Sequence, residues 1–222
     1  MGRTETTIKM ANVTSDSAAT VSEQLTAIWN NFDDYGDEFE RYADIITALG
    51  AATASSTDEI SEGLGKFAAA ANTVGLSYDY ATSALATLIA ATRESPETIG
   101  TALKTLFTRL QGLSLGDTLD DGVNLNKYSN ALKKVGVDIL DVNGEMKTMD
   151  EILNSLAAKW DNLTQAQKMA LAQTVAGARQ YTMLISLMDN WDSMQTNLST
   201  ASTAEGTVES QNQIYLESVA AS

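Results

Sequence analysis

The chain has 222 residues, 44% of them hydrophobic, and its 29 Asp and Glu against 14 Lys and Arg give a formal net charge of −15. Because histidine and cysteine are both absent, the composition excludes Ser-His-Asp and Cys-His catalysis, zinc sites with the usual ligands, and disulfides. The negative charge repels phosphates and anionic lipid headgroups, so we expect no sequence-specific nucleic-acid binding by this segment.

The composition also predicts the fold class. The chain has one proline and abundant alanine and leucine, which favours helices throughout. We predict an all-α fold, a compact bundle of about nine to ten helices with one small β-hairpin near residues 137–147. No apolar run reaches the ~18 residues that a bilayer span needs, so we expect no membrane span in this segment. The N-terminus has no secretory signal pattern.

The first helices follow from capping and stop signals. We predict the first over residues 16–31 with Ser15 as its cap, and the second over residues 37–49 with its end at Gly50. Thr57 is the predicted cap of the third helix, because Asp58 and Glu59 would then occupy its first turn, where negative charge is favourable.

Two glycines lie within the third predicted helix. Gly63 and Gly65 each weaken a helix by up to about 1 kcal/mol relative to alanine. Glycine inside a helix is typical of close packing against a neighbouring element. We therefore expect both residues to contact another helix.

The fourth and fifth helices have clear apolar stripes. The fourth starts after Ser77, and the fifth starts at Ser95-Pro96 and ends near Gly112. The residues expected to be buried on these two helices are Ala81, Ala84, Leu85, Leu88, Ile89, Ile99, Leu103, Leu106, Phe107 and Leu110.

A polar loop over residues 112–126 separates the fifth helix from a sixth, which ends at Gly136. Asn143-Gly144 then lies between short runs that alternate apolar and polar residues, with Val137, Ile139 and Met146 on one face. Asn-Gly is the strongest short hairpin signal, because a type I′ turn needs positive φ at both central residues.

The carboxylates around Gly144 also raise the question of whether this region is a calcium-binding loop. With Gly144 at position 6, position 1 is Ile139, which has no side-chain oxygen, and position 12 is Asp150 instead of a bidentate glutamate. The frame over residues 117–128 fails as well, because its twelfth residue is Tyr128. We therefore expect no metal and no cofactor.

Two capping boxes open the next helices. Thr148-x-x-Glu151 starts the seventh and Thr164-x-x-Gln167 starts the eighth, which ends at Gly177. The ninth is predicted over residues 179–198. The residues expected to be buried on the seventh and ninth helices are Met149, Ile152, Leu153, Leu156, Trp160, Leu163, Tyr181, Leu184, Ile185, Met188 and Trp191.

These elements suggest three divisions of the chain. Residues 1–12 are expected to be a disordered arm or sequence added for expression. Residues 13–200 form the core helical domain, with a possible further boundary in the loop at 112–126. Residues 201–222 are expected to be a linker and a truncated helix.

Several short segments of the sequence resemble segments of a known protein family. They are "IGTALKTLFTR" at 99–109, "GVDILDVNGE" at 136–145 with "AAKWDNL" after it, and "AGARQY" at 176–181. Together, and in this order, they resemble the core region of phage tail tape measure proteins, and the resemblance covers residues 12–218.

The resemblance implies a structural function without catalysis. Tape measure proteins of phages and prophages set tail length during assembly, fill the lumen of the tail tube and leave ahead of the DNA at genome ejection. The implied partners are other copies of the tape measure protein, the tail tube protein, tail assembly chaperones and tail tip proteins. The implied location is the tail tube lumen of the virion, and the host cytoplasm during assembly. The chain would be a fragment of a longer protein, whose length-encoding rod lies elsewhere.

Two other functions remain open. An acidic helical protein-binding adaptor would use exposed anchors, for which the candidates are Tyr78, Tyr80, Met188 and Trp191, although Met188 and Trp191 also fit the buried stripe. A carboxylate-dependent peptidoglycan hydrolase would need two acids ~5–9 Å apart, one of them with a raised pKa. Its candidates are Glu94, Glu97 and Asp161, which also fit solvated helix ends.

Four residues form a candidate interaction surface: Arg109, Arg179, Gln180 and Tyr181. The two arginines carry positive charge in an acidic chain. They would contact a neighbouring copy, or they would neutralise carbonyl groups at helix C-termini and nearby carboxylates.

Overall fold

The computed structural model describes residues 2–14, 16–32, 39–114, 125–145 and 147–221. Within these ranges the chain forms twelve α-helices and no strand, which confirms the all-α class. The helices are α1 (Arg3–Val13), α2 (Ala18–Trp29), α3 (Phe39–Ala52), α4 (Thr57–Thr73), α5 (Tyr78–Thr92), α6 (Pro96–Ser114), α7 (Leu125–Lys134), α8 (Met149–Trp160), α9 (Gln165–Ala176), α10 (Tyr181–Asp189), α11 (Trp191–Ser202) and α12 (Thr207–Ala220).

The predicted number of about nine to ten helices is wrong for two reasons. Where the sequence predicts a disordered arm at 1–12, the structure has α1, which packs on α2, α3 and α12 and buries Met10 completely. The single helix predicted over 179–198 is broken at Asn190, which ends α10 and begins α11. The Asn190 side chain donates a hydrogen bond to the Ser186 carbonyl oxygen at 2.8 Å, and asparagine often competes with helical bonds in this way.

The predicted β-hairpin near 137–147 is also wrong. A type I′ turn needs positive φ at two consecutive residues, but Gly144 has φ +82° and Asn143 is not in the positive-φ region. Among the described residues of this segment there is one isolated bridge, at Leu140, and no strand.

Asp141 organises this loop instead. Its carboxylate accepts hydrogen bonds from the backbone N–H groups of Asn143, at 2.8 Å, and Glu145, at 2.9 Å. The bond from Glu145, with help from Asn143, holds the pKa of Asp141 below its usual range. Asp141 would be position 3 of the calcium frame that has Gly144 at position 6, but in the structure its carboxylate is the acceptor of a local turn.

Most of the helix starts are confirmed. Ser77, Thr148 and Thr164 cap α5, α8 and α9, and the last two form complete capping boxes. The Ser95 hydroxyl accepts the N–H of Thr98 at 3.2 Å. The cap of α4 is Ser56 instead of the predicted Thr57.

Other predicted boundaries differ or cannot be compared. α3 runs through Gly50 to Ala52, and α2 is capped by Ser17. Several predictions involve residues that lie outside the described ranges: the Ser15 cap, the start of the second helix at 37, most of the loop at 112–126, most of the 117–128 frame, the side chain of Leu110, and Met146.

The predicted apolar stripes build the core. The named residues of α5, α6 and α8 are buried, apart from Leu110, whose side chain is outside the described set. On α10, Leu184 and Met188 are buried, whereas Tyr181 and Ile185 are partly buried and pack against the core. Leu163, after α8, and Trp191, on α11, are also predicted to be buried and are partly buried against the core. None of the helices in the described ranges has both the length and the apolar character that crossing a membrane requires.

The most extensive helix packing in the described ranges joins α4 and α6. A Cβ added to Gly100 would lie 2.6 Å from the Gly63 carbonyl oxygen, and one added to Gly63 would lie 2.8 Å from Leu85. Close packing at Gly63 is therefore confirmed, and Gly100 is an unpredicted partner. The same expectation for Gly65 is wrong, because no atom lies within 4 Å of the place its Cβ would take.

We predict that Gly100→Ala lowers the free energy of unfolding by about 1–3 kcal/mol, because the added methyl group meets backbone that cannot move aside easily. Gly65→Ala is the matched control in the same helix pair. It should raise the free energy of unfolding by about 0.5–1 kcal/mol through helix propensity alone. Urea denaturation of both variants measures the difference. Equal effects would show that the α4–α6 contact is not tight.

Candidate functional site

The structure places one residue of the predicted interaction surface, Arg109, beside the end of α9. Arg109 on α6 lies against Gly177, the residue that ends α9. A Cβ added to Gly177 would be 2.4 Å from Arg109 Nη1 and 2.6 Å from its Cζ. Gly177 has φ +83° and ψ +166°, a region that is essentially restricted to glycine. The backbone conformation therefore requires glycine here, and a side chain at this position would also displace the Arg109 guanidinium.

The position of Arg109 also has an electrostatic consequence. The Gly177 N–H donates to the Gln173 carbonyl oxygen at 3.0 Å, which closes the last turn of α9. The guanidinium thus lies at the C-terminal end of α9, where the helix dipole stabilises a cation. This geometry matches the alternative in which Arg109 neutralises helix carbonyls.

The other three residues have different environments. Arg179 is exposed in the turn between α9 and α10. Gln180 is half-buried at the N-cap of α10, and its side chain makes no capping hydrogen bond there. Tyr181 is half-buried and packs against the core. Of the four predicted residues, only Arg179 is fully open to a partner.

A buried polar site that the sequence analysis missed joins α3 to α12. Asp44 on α3 is 3% exposed, and its carboxylate accepts the backbone N–H groups of Gly206 at 2.9 Å and Val208 at 2.8 Å. These groups belong to the first turn of α12, where N–H groups have no intrahelical acceptor. Burial raises the pKa of Asp44, although the two hydrogen bonds act in the opposite direction.

Further polar contacts surround this junction. Lys9 of α1 forms ion pairs with Glu5, at 3.1 Å, and with Glu209 of α12. The Asn12 amide donates to the Asn212 side chain at 2.8 Å. The N- and C-terminal helices are therefore tied to each other as well as to α3.

Arg41 completes the junction from α3. Its guanidinium donates to the carbonyl oxygens of Ala201, at 2.8 Å, and Ser202, at 3.1 Å. These are the last residues of α11, so a cation again lies at a helix C-terminus. The only sequence signal for the junction is a carboxylate, Asp44, inside the apolar run "YADIITAL".

The residues of the two alternative functions are not arranged for those functions. Tyr78, Tyr80 and Met188 are at most 3% exposed, so they cannot serve as surface anchors. Trp191 packs against the Tyr80 ring, with 6.1 Å between centroids.

The acids considered for glycoside hydrolysis are all exposed. Glu94 and Glu97 flank the start of α6, and Asp161 is the C-cap residue of α8. Glu97 forms an ion pair with Lys66 at 2.9 Å. None of the three lies in the apolar cleft that the general acid of a glycoside hydrolase occupies.

Together, the all-helical core and the polar ties between its first and last helices define a helical structural module. A family model described as "Phage-related minor tail protein" matches residues 1–177, and the chain belongs to that family. It is therefore a structural protein of the phage tail. No solved structure matches the chain.

We predict that Gly177→Ala lowers the free energy of unfolding by about 3 kcal/mol, because alanine is strained in this backbone region and its methyl group displaces the Arg109 guanidinium. Gly206→Ala is the matched control: Gly206 also has positive φ, and nothing lies within 4 Å of its missing Cβ. It should cost about 1–2 kcal/mol.

A double-mutant cycle isolates the contact itself. Arg109→Ala should destabilise the Gly177→Ala background less than it destabilises the wild type, because the added methyl group has already displaced the guanidinium from the end of α9; urea denaturation measures both effects. Strictly additive effects would contradict direct packing of the guanidinium on Gly177.

We predict a specific pH dependence for Asp44→Asn. Because burial raises the pKa of Asp44 in the folded state, the stability this group contributes is complete at low pH and is lost as pH rises through the raised pKa. Asparagine does not ionise and keeps one acceptor oxygen for the two N–H groups. The variant should be less stable by about 1–3 kcal/mol at low pH, and its deficit should shrink as pH rises.

Denaturation curves at a series of pH values from about 3.5 to 7 test this trend. Asp44→Ala, which leaves both N–H groups without an acceptor, should be the less stable of the two variants at every pH. A deficit of the asparagine variant that grows with pH would show that the pKa of Asp44 is depressed instead.

Proposed function

We propose that this chain is a structural module of a phage or prophage tape measure protein, which lies in the lumen of the tail tube. The observation that carries the proposal is the family match over residues 1–177, which places the chain among phage tail proteins. The resemblance at "IGTALKTLFTR", "GVDILDVNGE" and "AGARQY" supports the more specific assignment.

The charge of the chain suits this location. DNA passes through the tail tube after the tape measure protein has left, and a protein with a net charge of −15 repels phosphates at short range. An acidic module would therefore neither hold the genome back nor be trapped by it.

The fold gives this module a particular role within the parent protein. A continuous helix of this length would extend about 330 Å at 1.5 Å per residue, but the helices here are short and pack on one another. We propose that the module is a folded body attached to the length-determining rod and makes no catalytic contribution. Its proposed partners are other copies, the tube protein, tip proteins and assembly chaperones, and Arg179 is its proposed exposed contact.

The location is tested by protease protection of purified tails. We expect the module to resist protease in intact tails and to be digested or released after ejection is triggered, because a lumenal protein is shielded until then. The tube protein serves as the loading control and an external tip protein as the control for digestion. Complete digestion of the module in intact tails would contradict a lumenal position.

An in-frame deletion tests the length relation separately. Removing this segment from the parent protein should shorten the tail by much less than the ~330 Å that an extended helix would span. Electron microscopy measures the tail length. Shortening by the full amount would contradict the folded body.

A further inference from the structure

α11 and the first half of α12 contribute little to the apolar core. We call residues 191–212, which form this part of the chain, the strap. Its buried hydrophobic side chains are few, and two of them are alanines: Met194, Ala201, Ala204 and Val208. α5 is shorter than the strap, yet it buries twice as many hydrophobic side chains. Because hydrophobic stabilisation is roughly proportional to the apolar area removed from water, apolar packing holds the strap weakly for its length.

Polar contacts hold the strap from α11 to the middle of α12. The buried Asn197 amide donates to the Thr87 hydroxyl of α5 at 2.8 Å. The contacts that follow in order along the strap are Arg41 with Ala201, Asp44 with Gly206, Lys9 with Glu209, and Asn12 with Asn212. Each such contact gives little net stability, because water replaces it when the contact opens. The contacts therefore fix the position of the strap more than they fix it in place.

Two buried hydroxyl groups beneath the strap favour its release. Ser83 on α5 and Thr47 on α3 are at most 1% exposed, and neither hydroxyl has a hydrogen-bond partner among the described residues. Ser83 lies one turn from Thr87, and Thr47 lies one turn from Asp44, so both belong to the sides of α5 and α3 that the strap covers. Burying an unpaired hydroxyl is unfavourable. Water can reach both groups once the strap has moved away.

Asn190 is a suitable hinge for this movement. It ends α10 and begins α11 with φ −108° and ψ +29°, and its side chain makes no capping hydrogen bond to α11. α10 packs chiefly on α9, whereas α11 packs on α5 and α3. A change of φ and ψ at a single residue between two helices is a common form of hinge. Rotation at Asn190 therefore moves α11 without disturbing the packing of α10 on α9.

We propose that the strap opens as one unit about Asn190 while the rest of the fold stays in place. In the open state the sides of α3 and α5 that carry Asp44 and Thr87 become accessible to water. Opening is a step separate from global unfolding, because the α4–α6 crossing makes no use of the strap. It does not depend on the proposed function, since it rests only on contacts within the chain.

Thiol labelling of the whole chain tests this opening, because the chain has no cysteine and a buried thiol reacts only when it is exposed. Ala201→Cys and Val208→Cys are reporters at buried positions of the strap, and Ala71→Cys is the matched control at a buried position of α4. Without denaturant, both strap variants should react with dithionitrobenzoate about 100-fold faster than the control.

The two strap rates should also agree within about 3-fold, because one opening exposes both positions. Fast reaction at only one of them would show that a single helix frays, and reaction of both as slow as that of Ala71→Cys would show that the strap opens only with global unfolding. Either result would overturn the proposal. Circular dichroism identifies a reporter that does not fold, and Ala204→Cys is the replacement within the strap.

Two further substitutions separate strap opening from global unfolding. Gly100→Ala should speed the reaction of Ala71→Cys and leave that of Ala201→Cys unchanged, because the α4–α6 crossing is the same in the closed and open states. Asp44→Ala should speed the reaction of Ala201→Cys at least ~10-fold, because it removes contacts that only the closed state makes. Equal acceleration of both reporters by Gly100→Ala, or none of Ala201→Cys by Asp44→Ala, would contradict a strap that opens by itself.

Discussion

The fold depends on the close approach of α4 and α6 at Gly63 and Gly100. These helices form the most extensive packed pair in the described part of the chain, and the Gly63 carbonyl oxygen occupies the space where a side chain on residue 100 would begin. One turn further along α4 and two turns further along α6, the Phe67 and Phe107 rings pack with 5.8 Å between centroids. A larger residue at the crossing would separate the helices and loosen this aromatic contact.

Two helices near the C-terminus have polar contacts with α3 in addition to their apolar packing. Asp44 accepts N–H groups at the start of α12, and Arg41 donates to carbonyl groups at the end of α11. Each side chain satisfies backbone groups that a helix end leaves without partners. Burying a carboxylate opposes its ionisation, so this junction is a weaker tie than the apolar centre. The same arrangement lets the distal half of α12 extend into solvent.

Local signals in the sequence predict much of the fold but little of the candidate site. Serine and threonine caps and the apolar stripes of α5, α6 and α8 are short-range features, so they could be read correctly. The break at Asn190 and the loop around Asp141 depend on side chains that compete with regular backbone bonds, and the α1 sequence has a weak apolar stripe. The sequence does not distinguish Gly63 from Gly65. Only the fold shows that Gly63 faces a neighbouring helix and that Gly65 does not. The Asp44 junction spans more than 160 positions and has almost no local signature.

Hydrogen exchange measured by mass spectrometry tests most directly whether the α4–α6 crossing holds the structure together. We expect the amides of α4 and α6 to exchange last, only through global unfolding, whereas those of α12 exchange earlier through local opening of the Asp44 junction. Exchange of α4 and α6 as fast as that of α12 would show that the crossing does not hold the structure together.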